Sequence, residues 1–474
     1  MLPEGISPEA LKIAIEVVER CGALAKEEYL GNSELRPLRA ALTPLVWACL
    51  ERSYEGDKAA ARKAHRRALN REKQRAAALE RAAADRCALR QARLERLARH
   101  QSLVADGPCE AVVVPEIESS PATASRSLAS CYSCRARFGR REAHAFYGDA
   151  FCPECAALNW SKRAASCDMR GRTAVVTGAR VKIGFYVALK LLRAGARVVV
   201  TTRFAGDALD RYARESDYEE FRNRLEIVGC DFRDLRAVEA LAKYLDERLA
   251  GLDVLVNNAC QTVRRPKAYY AAALTREAPR DHQIACFGVR DDDREDDGAG
   301  IVQVGGGMMV DARKGTSWNA RLADVSLVEA AECFAINVLA PLSLCARLKP
   351  ALLRARAPRF VVMVSAMEGK FNRRKTIYHP HTNAAKAALN MITRTSAADY
   401  AADGIYMNAV DTGWVTDERP LEQAQRVARD QGFQTPIDEI DAAARILDPV
   451  FSVLRGDVDP YHGLFLKDYR PTEW

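Results

Sequence analysis

Several features that would place a protein in a distinct class are missing from this sequence. No stretch approaches the roughly 18 to 20 uninterrupted apolar residues of a membrane-spanning helix, and the N-terminus has no apolar signal core. The 14 cysteines are spread over 474 residues, unlike the dense spacing of a small secreted disulfide scaffold. We therefore expect a soluble, intracellular, cytoplasmic protein without a membrane partner.

The composition also excludes a wholly disordered or collagen-like chain, because 48% of the residues are hydrophobic. A length of 474 residues suggests about three domains. We divide the chain into a helical region at 1–105, a linker rich in Pro, Ser, Thr and Ala at 106–126, a cysteine module at 127–168, and a large domain at 169–474.

The positive charge is concentrated in one segment. Residues Lys58 to His100 contain 14 lysines and arginines against four acids, so this segment accounts for more than the whole net charge of +8. The segment lacks Pro and Gly and is rich in Ala, Arg and Leu, which predicts a long helix. It is either a solvated helical face or an arm that binds an acidic surface such as RNA.

Four cysteines form two close pairs, with 17 residues between the pairs: Cys131, Cys134, Cys152 and Cys155. Two residues between cysteines let one tight turn direct both thiolates at the same ion, and two such turns complete a tetrahedron around Zn²⁺. The pattern predicts a small zinc-ribbon-like module with a structural metal ion, since no position is left for a substrate. His144 and Cys167 are then bystanders. Such a module binds a partner or holds a neighbouring domain, so we expect a possible protein or RNA partner through residues 58–155.

From Arg172 onward, seven short β-branched runs alternate with amphipathic helical stretches. Near-continuous apolar strands separated by helices predict an α/β fold with a doubly wound parallel sheet covered on both faces. The first strand ends in a glycine-containing turn, Thr177 to Gly184, that leads directly into a helix. Such a turn lets backbone N–H groups and a helix N-terminus approach a dinucleotide pyrophosphate.

This region resembles the short-chain dehydrogenase/reductase family. The resemblance rests on the turn, on an Asp after strand three, on Asn-Asn-Ala after strand four, and on an Asn, a Ser and a Lys in the family's order. It implies a Rossmann domain that transfers hydride between NAD(P) and a carbonyl or alcohol substrate, and a homo-oligomer. The cofactor-binding residues it implies are Thr177, Gly178, Lys182, Ile183, Gly184, Arg203, Asp231, Asn257, Asn258, Ala259 and Lys386. The catalytic residues it implies are Asn337, Ser365 and Lys386.

Two departures from the family pattern concern the cofactor. Lys182 stands where the family usually has glycine, so its side chain either blocks the backbone or places a cation against the phosphates; we favour the cation. Arg203 follows the second strand, where an acid would bind the ribose of NAD. Because a guanidinium suits a 2′-phosphate, we expect NADP(H) in preference to NAD(H).

The larger departure concerns the catalytic acid. The family's tyrosine lies four residues before the lysine, and here Thr382 occupies that position. A threonine hydroxyl ionises too reluctantly to replace a phenol. Tyr378 is the alternative if the helix begins early, but Pro380 places it in the preceding loop; His379 and His381 are other possible acids.

Two further features separate the chain from the family pattern. Thr412-Gly413 replaces the family's Pro-Gly, and an insertion at about 262–325 contains an acidic block (Asp291 to Asp297) and a glycine run (Gly305 to Gly307). The insertion is a surface loop, a substrate lid beside the cofactor crevice, or a partner site. The leading hypothesis is an NADP-dependent oxidoreductase with a non-standard acid. The alternative is a weakly active or inactive nucleotide-binding scaffold that docks on RNA or protein.

Overall fold

The protein is described here by a computed structural model. The described residues are 7–22, 24, 29, 32–53, 58–84, 87–93, 128–277, 284–288, 300–304, 308–416, 418–420, 423–424, 426–427 and 434–474. The predicted linker 106–126, the acidic block 291–297, the glycine run 305–307 and the end of the basic segment at 94–100 lie outside them.

The chain divides into two compact units, Met1–Arg81 and Ala82–Trp474. The first unit contains α1 (Pro8–Gly22), α2 (Arg36–Ser53) and most of α3 (Lys58–Ala84). The helical N-terminal region is therefore confirmed, and the basic segment is helical over Lys58–Ala84. The cysteine module belongs to the second unit together with the large domain.

The cysteine module is built from a small hairpin and one helix. Strands β1 (Leu128–Ser130) and β2 (Arg137–Gly139) pair antiparallel, and α4 (Pro153–Ala164) follows the second cysteine pair. Cys131 lies in the turn of the hairpin, and Cys152 is the N-cap residue of α4, with Pro153 in the first helical turn. Hairpin and helix thus present the two cysteine pairs to each other.

A nine-stranded sheet forms the centre of the large domain, with the order β13-β12-β11-β10-β6-β3-β4-β5-β7. Its strands are β3 (Thr173–Thr177), β4 (Arg197–Thr202), β5 (Leu225–Cys230), β6 (Val254–Asn257), β7 (Cys286–Phe287), β10 (Arg359–Ser365), β11 (Ile405–Asp411), β12 (Phe465–Lys467) and β13 (Arg470–Thr472). All pairs are parallel except β12 with β13. All seven strands expected from the sequence are present, so the doubly wound α/β fold is confirmed.

Helices cover both faces of the sheet. The remaining helices are α5 (Lys182–Arg193), α6 (Ala205–Tyr212), α7 (Tyr218–Phe221), α8 (Leu235–Arg248), α9 (Ala271–Thr275), α10 (Leu327–Phe334), α11 (Ala340–Arg354), α12 (Pro380–Ala402) and α13 (Glu439–Arg455). One apolar core joins the sheet to α5, α6 and α13, and the other joins it to α8, α11 and α12. Alternate residues of each strand enter opposite cores, as on any pleated sheet.

The insertion adds small elements at one edge. β7 extends the sheet beside β5, and β8 (Ile301–Val304) pairs antiparallel with β9 (Met308–Asp311) as a separate ribbon. The chain order reverses between β3 and β6, which lie side by side although β4 and β5 come between them in sequence. Ligands of open α/β sheets bind at such a switch point, outside the carboxyl ends of the strands.

Among the described helices, one continuous run is long and apolar enough to span a membrane by length and composition: Leu327–Arg354. It comprises α10, a π-helical turn at Ala335–Leu339, and α11. Leu344, Leu348 and Leu352 on its inner face are fully buried in the core that contains α8. The run therefore has the packing of a core helix.

Candidate active site

The turn that follows β3 brings the backbone to the edge of a cleft. Gly178 has a φ of +67°, and a Cβ added there would lie 2.7 Å from Ala259 Cα. A Cβ on Gly184 would lie 2.5 Å from the carbonyl oxygen of Gly178. Both positions therefore exclude a side chain, and the turn runs directly into the N-terminus of α5.

Lys182 adopts a conformation that favours glycine, with a φ of +55°. Its Nζ donates to Glu418 Oε1 at 3.1 Å, and the Glu418 carboxylate raises the pKa of Lys182. Glu418 also accepts the hydroxyl of Thr416 at 2.7 Å and lies 3.8 Å from the Arg265 guanidinium. The Lys182 ammonium thus faces the cleft beside Ile183 and is paired with a carboxylate; its contact with phosphate stays a prediction.

Arg203 lies over aromatic rings at the carboxyl end of β4. Its guanidinium carbon is 4.7 Å from the centre of the Tyr270 ring and 5.2 Å from that of Phe204. Arg180 lies at the same distance over Phe204, but it is paired with the buried Asp207 carboxylate at 2.5 Å. Arg203 forms no ion pair with any residue that the structure describes. Its charge is therefore available to an added anion.

Asp207 holds this corner of the cleft together. It is fully buried on α6 and pairs with Arg180, Arg211 and Arg276. Burial alone would raise the pKa of the Asp207 carboxyl, but the guanidinium groups of Arg180 and Arg211 outweigh it and hold that pKa well below its usual range. Asp207 consequently fixes Arg180, while Arg203 beside it forms no ion pair within the described residues.

Asp231 follows β5 and lines the same cleft. Its carboxylate accepts from Arg233, with Nη2 at 2.7 Å from Oδ2 and Nε at 3.1 Å from Oδ1. The cleft is also lined by Phe232, the next residue along the chain. A contact of Asp231 with adenine stays a prediction.

The Asn-Asn-Ala segment after β6 supports the glycine turn. Asn258 Nδ2 donates to the carbonyl oxygens of Thr177 at 3.0 Å and Gly178 at 3.2 Å. The Thr177 hydroxyl accepts the backbone N–H of Asn258 at 2.9 Å and that of Ala259 at 3.0 Å. Thr177 and Asn258 thus hold the ends of β3 and β6 together beneath a bound ligand.

The side chain of Asn257 lies away from the cleft. Its Nδ2 is 3.3 Å from the sulfur atoms of Cys345 and Met363, within the core below the sheet. Successive strand residues point to opposite faces, so Asn257 cannot present its amide with Asn258. Any cofactor contact of Asn257 is therefore limited to its backbone.

Asn337 is held inside a π-helical turn. This turn, Ala335–Leu339, joins α10 to α11, and Asn337 is 1% exposed within it. Asn337 Oδ1 accepts the backbone N–H of Gln261 at 2.7 Å, and Nδ2 donates to the Gln261 carbonyl at 3.2 Å. Asn337 therefore fixes the chain that follows Ala259 and does not itself line the cleft.

Ser365 and Lys386 lie together at the carboxyl edge of β10. The Ser365 hydroxyl donates to Asn390 Oδ1 at 2.5 Å, and Lys386 Nζ donates to the Val364 carbonyl at 2.7 Å. Both side chains are buried and line the cleft. Thr382 is 2% exposed on α12, one turn before Lys386, so the threonine occupies the place where the resemblance predicts a tyrosine.

Tyr378 lies in the loop before α12. The helix begins at Pro380, and His379 is its N-cap with a φ of +44°. An arrangement with Tyr378 and Lys386 two turns apart on one helix is therefore wrong, because the proline starts the helix. Tyr378 is 37% exposed and lines the cleft from its loop.

The two histidines have other partners. The His379 ring stacks on Trp318 with centroids 4.1 Å apart, and its Nδ1 lies 2.8 Å from the Trp318 carbonyl oxygen. His381 Nε2 lies 3.6 Å from Glu329 Oε1 on α10, and burial lowers the pKa of His381. Tyr378 and His379 line the cleft and His381 does not, so the identity of the acid stays a prediction.

A single cavity of about 1340 Å³ joins most of the expected residues. Those that line it are Gly178, Lys182, Ile183, Gly184, Arg203, Asp231, Asn258, Ala259, Ser365, Tyr378, Thr382 and Lys386. A glycine turn at one end and a buried serine–lysine pair at the other form one continuous cleft. This arrangement suits a dinucleotide with a reacting group beside Ser365.

Comparison with known proteins identifies the large domain. A family model described as short chain dehydrogenase matches residues 172–278, and one described as enoyl-(acyl carrier protein) reductase matches residues 309–444. Together they cover about half of the chain. The chain belongs to the short-chain dehydrogenase/reductase family. Membership supports an oxidoreductase function at the level of the family.

Individual relatives cover different lengths. An uncharacterized protein of Acanthamoeba polyphaga mimivirus is 31% identical over 348 residues, covering 69% of this chain and 72% of that protein. The dehydrogenase/reductase SDR family member 13 of Bos taurus is 34% identical over 125 residues, 26% of this chain and 31% of its own length. A crystal structure of a short-chain dehydrogenase from Burkholderia cenocepacia in complex with NADP is 22% identical. It covers 63% of this chain and 97% of that chain, with a TM-score of 0.44.

The cysteine cluster fits a metal ion. One Sγ atom from each of Cys131, Cys134, Cys152 and Cys155 lies within 4.8 Å of all the others, and the Cys134 and Cys152 sulfurs are 3.7 Å apart. With a Zn–S bond of about 2.3 Å, tetrahedral ligands lie about 3.8 Å from one another. His144 and Cys167 are not part of the cluster. The four thiolates can hold Zn²⁺, and its presence stays a prediction.

The cysteine module packs against the large domain and reaches the cleft. Arg163 on α4 pairs with Asp438 at 2.6 Å and Asp441 at 3.0 Å, and Tyr147 Oη donates to Asp441 at 2.7 Å. The Tyr132 hydroxyl accepts the backbone N–H of Trp414 at 3.0 Å, in the loop where Thr412-Gly413 replaces Pro-Gly. The loop is therefore braced by the module.

Sequence reasoning missed two groups at the site: Asp411 at the end of β11, and the side chains that the cysteine module contributes. Asp411 is paired in register with Ser365 and follows Met407 and Ala409 on the face that carries Ser365. It is buried and lines the cleft; burial raises the pKa of its carboxyl, and Lys467 Nζ lies 3.6 Å away. Its place directly before Thr412-Gly413, at the carboxyl end of a strand, could have indicated from the sequence that Asp411 lies at the site.

Proposed function

We propose that the protein is an NADP(H)-dependent oxidoreductase that transfers hydride to or from a carbonyl or alcohol substrate. The observation that supports it best is the unpaired Arg203 guanidinium over Phe204 and Tyr270, in the same cleft as the glycine turn and the Ser365–Lys386 pair. A planar guanidinium suits the 2′-phosphate that distinguishes NADP from NAD.

The residues fit such a cofactor in a definite order. The positions of Gly178 and Gly184 have no room for a side chain, which suits close approach of a pyrophosphate to backbone N–H groups. Arg203 would hold the 2′-phosphate, Asp231 would meet the adenine, and Lys386 would hold the nicotinamide ribose. When bound, the cofactor supplies or accepts the hydride.

The chain's own groups would then act on the substrate oxygen. The Ser365 hydroxyl, now donating to Asn390, would turn to donate to a carbonyl oxygen and stabilise the charge that develops on it. Lys386 carries a buried ammonium one helical turn from Thr382, where it adds a positive charge to the same place. Asn337 would keep the Gln261 backbone in position and so shape the wall behind the lysine.

We propose Tyr378 as the acid that exchanges a proton with the substrate oxygen, with Asp411, which is paired in register with Ser365, as the rival candidate. Tyr378→Phe is expected to lower kcat at least about 100-fold with unchanged NADPH affinity, because it removes only the phenolic hydroxyl that would exchange the proton. Asp411→Asn is the matched comparison. A larger loss in Asp411→Asn would transfer the role to the carboxyl. Burial raises the pKa of the Asp411 carboxyl, so a wild-type activity that falls as the pH rises through that pKa would support the same assignment.

A calorimetric titration with NADPH and NADH tests the cofactor directly. We expect wild type to bind NADPH at least about tenfold more tightly than NADH, and Arg203→Gln to remove most of that preference, since one charge-assisted pair contributes about 1.5 to 3 kcal/mol. Arg214→Gln, an exposed arginine outside the cleft, is the control. Equal affinity for the two cofactors in wild type would contradict the assignment of Arg203.

One feature favours a second candidate, a nucleotide-binding scaffold of low activity. Thr382 replaces the family's tyrosine, and α3 carries the basic segment that could bind RNA. Binding of NADPH without measurable turnover of any carbonyl substrate would favour this alternative.

A further inference from the structure

The cleft extends beyond the residues that the cofactor would use. The wall on the far side of Ser365 is formed by the loop before α12, the loop after β11, and the hairpin turn of the cysteine module. Its cationic side chains outnumber its acids: Arg135, Arg373, Arg374, Lys375, Arg419 and Lys467 stand against Glu368, Asp411 and Glu418. A concave surface with this charge attracts anions.

Three of these cations have no counter-charge. The guanidinium groups of Arg135, Arg373 and Arg374 form no ion pair or hydrogen bond with any residue among the described ranges, and all three side chains are exposed. Arginines elsewhere in the domain are mostly paired, as Arg172 is with Asp253 at 2.7 Å. Folding therefore does not use these three charges, although two distant segments bring them to one cavity.

The loop that carries Arg373 and Arg374 is anchored beside Ser365. Lys375 Nζ donates to the carbonyl oxygens of Met367 at 3.2 Å and Glu368 at 2.6 Å, in the short turn that follows the serine. The two arginines are thus tied to the strand that ends in the reacting hydroxyl. An anion bound there would stand at a set place relative to Ser365.

The cysteine module presents the third arginine. Arg135 follows Cys134 directly, has a φ of +66°, and its guanidinium carbon lies 5.9 Å from the centre of the Tyr132 ring. Tyr132 is held by its bond to the Trp414 backbone and by Lys467, whose Nζ lies 5.2 Å from the ring centre. Metal ligation at the neighbouring cysteines would therefore fix Arg135 at the mouth of the cleft.

We propose that the substrate carries a phosphate or carboxylate group, and that Arg373 and Arg374 bind it together with Arg135 of the cysteine module. Guanidinium groups are suited to both anions because their paired N–H donors match two oxygens. That the bound anion is a substrate rests on the proposed oxidoreductase function. The anion site itself rests on the three unpaired arginines. It gives the cysteine module a part in substrate recognition.

The test is a titration of the full-length, zinc-loaded protein, first saturated with NADPH, with inorganic tripolyphosphate and separately with citrate. Trp414 and Trp318 line the cleft, so binding is followed by their fluorescence and by calorimetry. We expect wild type and the control Arg394→Gln, on the exposed side of α12, to bind one of the two anions. Arg373→Gln/Arg374→Gln should lose at least tenfold in affinity, and Arg135→Gln about threefold or more. Binding of tripolyphosphate would indicate a phosphate group on the substrate, and binding of citrate a carboxylate group.

Equal affinity in wild type and the arginine variants would mean an adventitious ion only and would overturn the proposal, as would no binding of either anion. An oligouridylate that binds with the same losses while neither small anion binds would also overturn it, in favour of RNA. NADPH affinity is measured first in every variant. Its absence in wild type would refute the proposed function, while the comparison of the arginine variants would still decide on the anion site.

Discussion

Lys386→Met is expected to reduce NADPH-dependent turnover by about 1000-fold or more while leaving the fold intact. The ammonium is buried on α12 and donates to the Val364 carbonyl at 2.7 Å, directly before Ser365. Removing a preorganised charge from a reacting centre typically costs about 100- to 1000-fold, and the ribose contact is lost as well. The measurement is the steady-state oxidation of NADPH with a panel of aldehydes and ketones.

Lys243→Met is the matched control, since Lys243 is exposed on α8 and pairs only with Glu247 on its own helix. Circular dichroism of both variants checks the fold. Turnover within twofold of wild type in Lys386→Met would refute the assigned role of the lysine. Loss of turnover together with loss of secondary structure would call for Lys386→Arg, which keeps the charge and should retain part of the activity.

The sequence predicted the large domain well because its signals are local. Seven β-branched runs are seven strands, and the turn from Gly178 to Gly184 lies at the cleft as expected. Both features are set by residues close together in sequence. The strands follow from runs of β-branched residues, and the turn follows from two glycines at positions without room for a side chain. Ser365, Thr382 and Lys386 also line the cleft, since strand end and helix register fix their places.

What the sequence did not predict depends on contacts between distant residues. Asn257 lies next to Asn258 but points into the core, which only the path of β6 through the sheet decides. The sequence left Tyr378, His379 and His381 open as acids, and the contact that engages His379 comes from Trp318, 61 residues away. β7 is only two residues long, so it carries no periodicity.

The position of the cysteine module was equally hidden. Its spacing predicted a metal site, but nothing in the spacing indicated that Tyr132 would contact the Trp414 backbone 282 residues away. The module also shares an apolar core with Val415, Ile437 and Ala442 of the large domain. Sequence analysis considered such a module able to bind a partner or hold a neighbouring domain, and the packing fits the second role.

Cys131→Ser/Cys152→Ser is expected to lose the bound zinc and to destabilise the second unit as a whole. Hairpin and α4 bury little by themselves, so the metal should supply most of the module's folding free energy. Because Phe146, Phe151 and Ala156 pack in the core shared with α13, losing the module would expose part of the large domain. We expect a loss of about 5 kcal/mol and a Tm lower by about 10 °C or more.

Metal analysis of the purified protein gives the first measurement, with about one zinc per chain expected, and thermal unfolding gives the second. Cys167→Ser is the control, because Cys167 is half-buried and lies outside the cluster. Tyr132→Phe distinguishes an effect on the metal from an effect on the cleft. It should keep its zinc but weaken NADPH binding or turnover, because it removes only the hydroxyl that holds the Trp414 backbone. A wild-type protein with much less than one zinc and four reactive thiols would refute the site. A metal-free variant with unchanged Tm would show that the shared core does not depend on the metal.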